Sequence, residues 1–334
     1  MGTFLDEEKH RYMAYKASSQ HLPDAARVPG IYDEKPRPFC LPEEFAGFSL
    51  FEGIRDEVQA YFQNFEIKWH DGRNRQPSNH LCDSQVCCVN FLYSFSSFPD
   101  ALASLLRPVF PQIHRMLPLE QDGHFVSHEW IGAKNYLGEK VPHHGKRTRG
   151  AHFTSADAAV LFETTGGSKH IALIEWKYTE TYATVNLKTA KSGTDRTGIY
   201  RHLYDHPDFP LDKALLGNFD ALFFEPFYQL MRQQLLASGM EKSSELGADT
   251  VSLLHIAPAR NRQLERVTSP QLTDLSDTVA GVWQRLVTKA DRFHSVSIEA
   301  LFGGFKIDGH PEMRPWWEYT SSRYPWFRPT PADA

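Results

Sequence analysis

Asp157 and the tripeptide Glu175-Trp176-Lys177 form the pattern D-x17-E-x-K, two acids and an amine at a spacing that suits phosphodiester chemistry. Side chains alternate faces along a strand, so Glu175 and Lys177 point the same way and Trp176 the other. Ile171 and Leu173 then share the Glu175 side, and Ala172 and Ile174 share the Trp176 side. A charged pair ending such an apolar strand requires a partner or a metal. Asp157 lies on the preceding strand, across a short turn, and brings a second carboxylate. Two converging carboxylates repel, and a divalent cation relieves them. Mg2+ takes oxygen ligands in an octahedron, so Asp157, Glu175, the main-chain carbonyl of Trp176 and a phosphate oxygen make a plausible shell, in which Mn2+ is expected to substitute. Lys177 then has a role in orienting or deprotonating a water, or in stabilising charge on the phosphoryl oxygens. Spacing alone is permissive: the same residues also fit an exposed ion pair worth roughly 0 to 1 kcal/mol.

The elements that must position these groups can be read around them. Residues 153–163 and 170–178, joined by T-T-G-G-S-K, read as two strands of a hairpin. Residues 124–131 read as a strand before it and 133–150 as a basic loop. A helix over about 221–238 and a buried strand over 250–257 follow. Upstream, apolar residues from Phe45 to Phe65 recur at three- and four-residue steps and predict one amphipathic helix. Residues 84–95 form a buried segment that fits helix or strand equally, and a short helix follows Pro99. Residues 277–290 look helical, and 314–328 form an aromatic tail. The order implies an α/β fold, a mixed central sheet flanked by helices. The expected organisation is an N-terminal arm over 1–42, with prolines interrupting helical register, and a single domain over 43–334. Its core spans about 98–260, and an aromatic extension covers 295–334.

The 334 residues are 41% hydrophobic, enough for a sizeable core, and carry a net charge of -5. A polyanion would therefore meet local basic surfaces rather than a basic molecule. One candidate loop holds Lys140, Lys146, Arg147 and Arg149 with His143 and His144; another holds Lys188, Lys191, Arg196 and Arg201. Either also reads as an ordinary solvated loop. The aromatic tail, with Arg314, Arg323 and Arg328, suits base stacking or, more simply, plugging a groove of its own domain. Cys40, Cys82, Cys87 and Cys88 are few and two are adjacent, which fits reduced thiols and a cytoplasmic protein without zinc. Neither a signal-type segment nor an apolar run of membrane-spanning length is present. A phosphate loop and a G-x-S-x-G elbow are also missing.

R-G-x-x-x-T-S-A-D-A-A-V (149–160), I-E-W-K-Y-T-E (174–180), S-Q-x-x-C-V-N-F-L (84–92) and P-F-Y-Q-L-M-R-Q-Q-L-L-A (226–237) together resemble a family of prokaryotic restriction-endonuclease-like proteins of the PD-(D/E)XK superfamily. The resemblance covers roughly residues 20–260. It implies that superfamily's core fold, a metal-binding strand hairpin and nuclease chemistry on DNA, with Asp157, Glu175 and Lys177 as the motif residues. Ala156 stands where the P-D dipeptide would have proline, a departure common in the superfamily. Members often place a further acid upstream, for which Glu129 is preferred to Glu139, and some use a glutamine on the later helix, where Gln229 and Gln233 flank Arg232. The expected function is cleavage of DNA, endo- or exonucleolytic, in restriction, repair or defence, by a monomer or a homodimer. The competing expectations are a non-catalytic nucleic-acid-binding module on the same fold, which the intact triad disfavours, and an interaction protein.

Overall fold

A computed structural model describes residues 2–141, 145–151 and 153–328; His143 and His144 of the first basic loop lie outside the described residues. The N-terminal segment contains a helix, α1 (Phe4–Ser18), contrary to the expected irregular arm. Its first proline comes only at Pro23, and a capping box in which Thr3 and Asp6 satisfy each other's backbone N–H starts it. A hairpin follows, β1 (Gly30–Tyr32) and β2 (Lys35–Arg37), whose turn residues Asp33 and Glu34 both have positive φ. The expected helix over 45–65 is broken: a 3-10 segment Glu43–Ser49 precedes α2 (Arg55–Asn64). Gly47 and Gly53 interrupt it, as residues that lose most entropy on ordering. The ambiguous segment is helical, α3 (Ser84–Leu92), with Asp83 as its N-cap and every residue after Ser84 buried. Burial on all sides explains why its periodicity was uninformative. α4 (Pro99–Leu106) begins on its proline, as expected.

The sheet is built from β3 (Ile113–Leu117), β4 (Val126–Trp130), β5 (Ala156–Thr164), β6 (Lys169–Trp176), β7 (Thr250–Ala257) and β8 (Phe293–Ser297). Its order is β3-β5-β6-β7-β8, with β4 also on β5. β3 pairs with the distal half of β5 and β4 with its proximal half. The β5–β6 hairpin is antiparallel, while β6–β7 and β7–β8 are parallel, so the sheet is mixed, as the sequence implied. β3 and β8 were not anticipated, and β8 carries the sheet beyond the expected core limit of residue 260.

Helices cover both faces. α3, α4, α9 (Ile298–Gly303) and α10 (Arg314–Arg323) pack with α1 and α2 on the face that holds Ala158, Val160, Ala172, Ile174 and Trp176. α7 (Phe227–Lys242) and α8 (Val279–Leu286), with α5 (Thr197–Asp205) and the short α6 (Lys213–Leu216), cover the face that holds Ala159, Leu161, Ile171 and Leu173. The division matches the strand alternation read from sequence. In the aromatic tail, Trp316, Tyr319, Tyr324 and Phe327 are buried in the first layer, so this segment is a plug and not a stacking surface. Among the described residues, no helix is long and apolar enough to cross a membrane.

Candidate active site

The site begins where the β5–β6 ladder ends. Its last paired residues are Ala158 and Ile174, and beyond them the strands diverge. The Trp176 N–H, which would otherwise bond to a β5 carbonyl, donates to Asp157 Oδ2 at 2.7 Å. The N–H and C=O of one strand residue point to the same side, so the Trp176 carbonyl also faces β5. β6 is held on its other side by β7, with the Lys177 N–H donating to the Ile256 carbonyl at 2.8 Å. Asp157 and Glu175 lie on the α7 face of the sheet, in line with Ala159 and Leu173.

Lys177 Nζ is 2.5 Å from Glu175 Oε1 and donates to Gln229 Oε1 at 2.8 Å. Gln233, one turn further along α7, donates to Glu175 Oε2 and to the Ser155 carbonyl. Despite the close ammonium, Glu175 Oε1 has no aligned hydrogen bond among the described residues, although Glu175 is only 1% exposed. Burial and then the charge of Glu175 push the Asp157 carboxyl well above the ordinary range; Lys177 opposes the shift and Glu129 adds to it. Burial works against the Lys177 ammonium, but Glu175, followed by Tyr182, Glu180 and Asp157, holds it well above the usual lysine value. Asp157 and Glu175 thus share the charge of one lysine.

Glu129 is the third acid here. Its flanking residues pair as His128 with Ala158 and Trp130 with Ala156, which sets Glu129 opposite Asp157. Its φ of +50° is left-handed, uncommon for a side chain of this size. Gln85 and Ser155 donate to its two oxygens at 2.8 and 2.7 Å, and His70 Nε2 is 3.2 Å from Oε1. Burial alone would raise the Glu129 carboxyl; His70, Ser155 and Gln85 hold it below its usual value. Burial alone would lower His70, but the hydrogen bond and charge of Glu129, helped by Asp157, push it up to about 9. Nearby Gly150, at φ +69°, could not carry a Cβ, which would meet the Lys68 carbonyl oxygen at 2.8 Å. Glu139, the other candidate, instead receives Thr154 N–H and O–H, Tyr200 O–H and Arg232.

Among the described residues, no three His, Cys, Asp or Glu side chains form a metal cage by themselves. A cation that keeps waters and draws on main-chain and phosphate oxygens needs fewer side chains than such a cage.

The basic residues divide. Arg149 forks onto Glu120, with Nη1 at 2.5 Å from Oε1, and its guanidinium lies over the rings of Trp130 and Phe65. Arg147 donates to the carbonyls of Ile131, Gly132 and Lys134. Both guanidinium groups are engaged in holding the loop together. Lys146 and Lys188 are more exposed, paired with Glu66 at 2.5 Å and Asp220 at 2.9 Å, and Lys191 is exposed. His70 and Gln85 were missed by sequence reasoning. Gln85 stood inside the S-Q motif, a usable signal, but nothing local distinguished His70 in a polar loop.

A family model described as "Restriction Endonuclease associating with ARP" matches residues 6–325, nearly the whole chain. No curated protein and no solved structure matches significantly.

Proposed function

Since the chain belongs to the family Restriction Endonuclease associating with ARP, we propose that it is a Mg2+-dependent deoxyribonuclease of PD-(D/E)XK type whose centre is Asp157, Glu175 and Lys177. The observation that carries this reading is the crowding of Asp157 and Glu175 on one sheet face, with the Lys177 ammonium 2.5 Å from Glu175.

The donor set fits a hard divalent cation. Glu175 is a buried carboxylate, and the Asp157 carboxyl is pushed up by burial and by the neighbouring Glu175 anion, the situation that a cation relieves. Asp157, Glu175 and the Trp176 carbonyl would hold it, with Glu129 facing Asp157 as a further acid. When bound, Mg2+ or Mn2+ supplies Lewis acidity toward the scissile phosphate and acidifies water.

The chain's own residues do the rest. Gln233 fixes the Glu175 carboxylate and Gln229 fixes the Lys177 ammonium, so both groups are oriented before substrate arrives. Lys177 keeps its proton in the resting site and, released from Glu175, donates hydrogen bonds to an attacking water or to phosphoryl oxygens. His70 and Gln85 hold the Glu129 carboxylate in place. Lys146, Lys188 and Lys191 remain as the loop cations for the DNA backbone.

The test is incubation of the protein with plasmid, linear and single-stranded DNA and with RNA, in Mg2+, Mn2+ or EDTA. Cleavage of DNA only with metal, lost in Lys177→Ala, is the expected result. Binding without cleavage under every condition would replace the enzyme with a binding module.

A further inference from the structure

We propose that the cleft lined by Tyr32, Phe39 and His80 holds an unpaired nucleobase of the substrate strand, favouring bases with an exocyclic amine. The proposal rests on the nuclease reading for its placement, because the cleft opens directly beside the candidate catalytic centre. Two of its walls are shared: His70 and Gln85 line the cleft and also contact Glu129. Thr179 and Glu180, two and three residues after Lys177, close another side. The cavity of about 440 Å³ falls within the range of small-ligand sites, roughly 300–1,000 Å³.

The lining has the chemistry of base recognition. Tyr32, Phe39 and His80 are half-buried rings, with His80 edge-on to Tyr32 at 4.7 Å and to Phe39 at 5.1 Å. Such rings offer faces or edges to a planar base. The Cys82 N–H donates to His80 Nδ1, which leaves the imidazole proton on Nε2 as a donor. Burial holds this histidine neutral, lowered to about 4. Asp71, Asp83 and Glu180 each have one oxygen engaged, by Tyr32 O–H, Val86 N–H and Tyr178 N–H. Among the described residues their second oxygens have no hydrogen-bond partner. Carboxylates accept from the amines of cytosine, adenine or guanine, and thymine has none to offer.

A cationic side chain from a protein partner is the competing occupant of an acidic, aromatic cleft. The fold already supplies its own cations there: Lys9 lies 5.5 Å from the Phe39 ring centre and Arg37 lines the wall. A second cation would have to displace them, whereas a neutral base with a phosphate on each side uses rings, carboxylates and cations together.

The experiment is binding of fluorescently labelled oligo(dC), oligo(dA) and oligo(dT) to the full chain in EDTA, so that cleavage plays no part. Oligo(dC) and oligo(dA) should bind roughly tenfold tighter than oligo(dT), and Tyr32→Leu should lower their affinity roughly tenfold and flatten the difference. Asp71→Asn, which keeps the shape, should reduce the preference for amine-bearing bases even if Tyr32→Leu fails to fold. Equal binding of all three oligomers by the parent, preference unchanged in both variants, or displacement of oligonucleotide by an Arg-rich peptide with no base preference would each overturn the proposal. Base preference in EDTA with no cleavage in any metal would sink the nuclease reading and leave the cleft standing. Metal-dependent cleavage without base preference would do the reverse.

Discussion

The end of β6 sends alternate residues into two polar clusters that differ in how completely they are satisfied. Toward α7 go Glu175 and Lys177; toward α1 and the C-terminal tail goes Tyr178. In the second cluster the Tyr178 hydroxyl donates to Glu8 and is 3.0 Å from that of Tyr12. Glu8 also receives Arg11 at 2.6 and 2.8 Å and the Trp326 indole N–H at 3.2 Å. Arg11 in turn donates to the Arg323 carbonyl. Glu8 and Arg11 are paired within the chain, so the cluster clasps the two termini to the strand. In the first cluster Glu175 Oε1 meets the Lys177 ammonium at 2.5 Å without an aligned hydrogen bond among the described residues, and Asp157 is disfavoured by burial and crowded by like charge. Both are buried beside the same strand, and what separates them is that Glu8 gathers donors from Arg11, Tyr178 and Trp326, whereas Asp157 and Glu175 crowd two acids about a single lysine.

The widest separation between the clusters should come from activity. Asp157→Ala and Glu175→Ala should reduce DNA cleavage about 10³-fold or more, and Lys177→Ala about 10²- to 10³-fold, with the fold retained by circular dichroism. In EDTA, Asp157→Asn should melt above the parent, because it removes an anion that burial and Glu175 disfavour; Mg2+ should raise the parent Tm and leave the variant unmoved. Parent-like cleavage by Lys177→Ala would break the comparison.

The clasp should behave oppositely. Glu8→Ala leaves Arg11 without its carboxylate and should cost about 3 kcal/mol in urea unfolding, with kcat altered far less than in the Asp157 variant. A stability change under 1 kcal/mol would show that the second cluster is not structural.

A smaller effect is expected at Asp83, the cap of α3. Burial, then the charges of Asp71 and Glu180, push its carboxyl up to about 6, against the hydrogen bond from Val86. A folded value above the unfolded value of about 4 means that the native state holds the proton more tightly. Stability is therefore lost as pH rises from about 4 through 6 and regained in acid. Asp83→Asn, which can still cap, should exceed the parent by roughly 1 kcal/mol above pH 6, with the gap closing toward pH 4. A gap independent of pH would refute the assignment.

Least of all, Lys191→Ala should weaken DNA binding about two- to threefold at low salt, uniformly across sequences, as a backbone contact does. An effect on one sequence alone would point to base readout.

Short-range pattern made much of this legible. Alternation along 170–178 assigned residues to faces correctly, and the hairpin, α4 and β7 stood near their expected places. Glu129 is preferred to Glu139 from sequence; in the structure Glu129 lies opposite Asp157 in register, and Glu139 pairs with Arg232. Errors arose where local signals compete. Apolar spacing over 45–65 ran through two glycines, and prolines after residue 22 obscured a capped helix before them.

What the sequence determined by itself was the strand hairpin with its two acids and lysine, because alternation and turn chemistry act between near neighbours. Only the tertiary structure decided that His70 and Gln85 reach Glu129 across 59 and 44 positions, that Arg149 turns inward onto Glu120, and that the terminal aromatics are buried. Those outcomes depend on which distant surfaces meet and which polar groups lose water on meeting, and no local pattern carries that information.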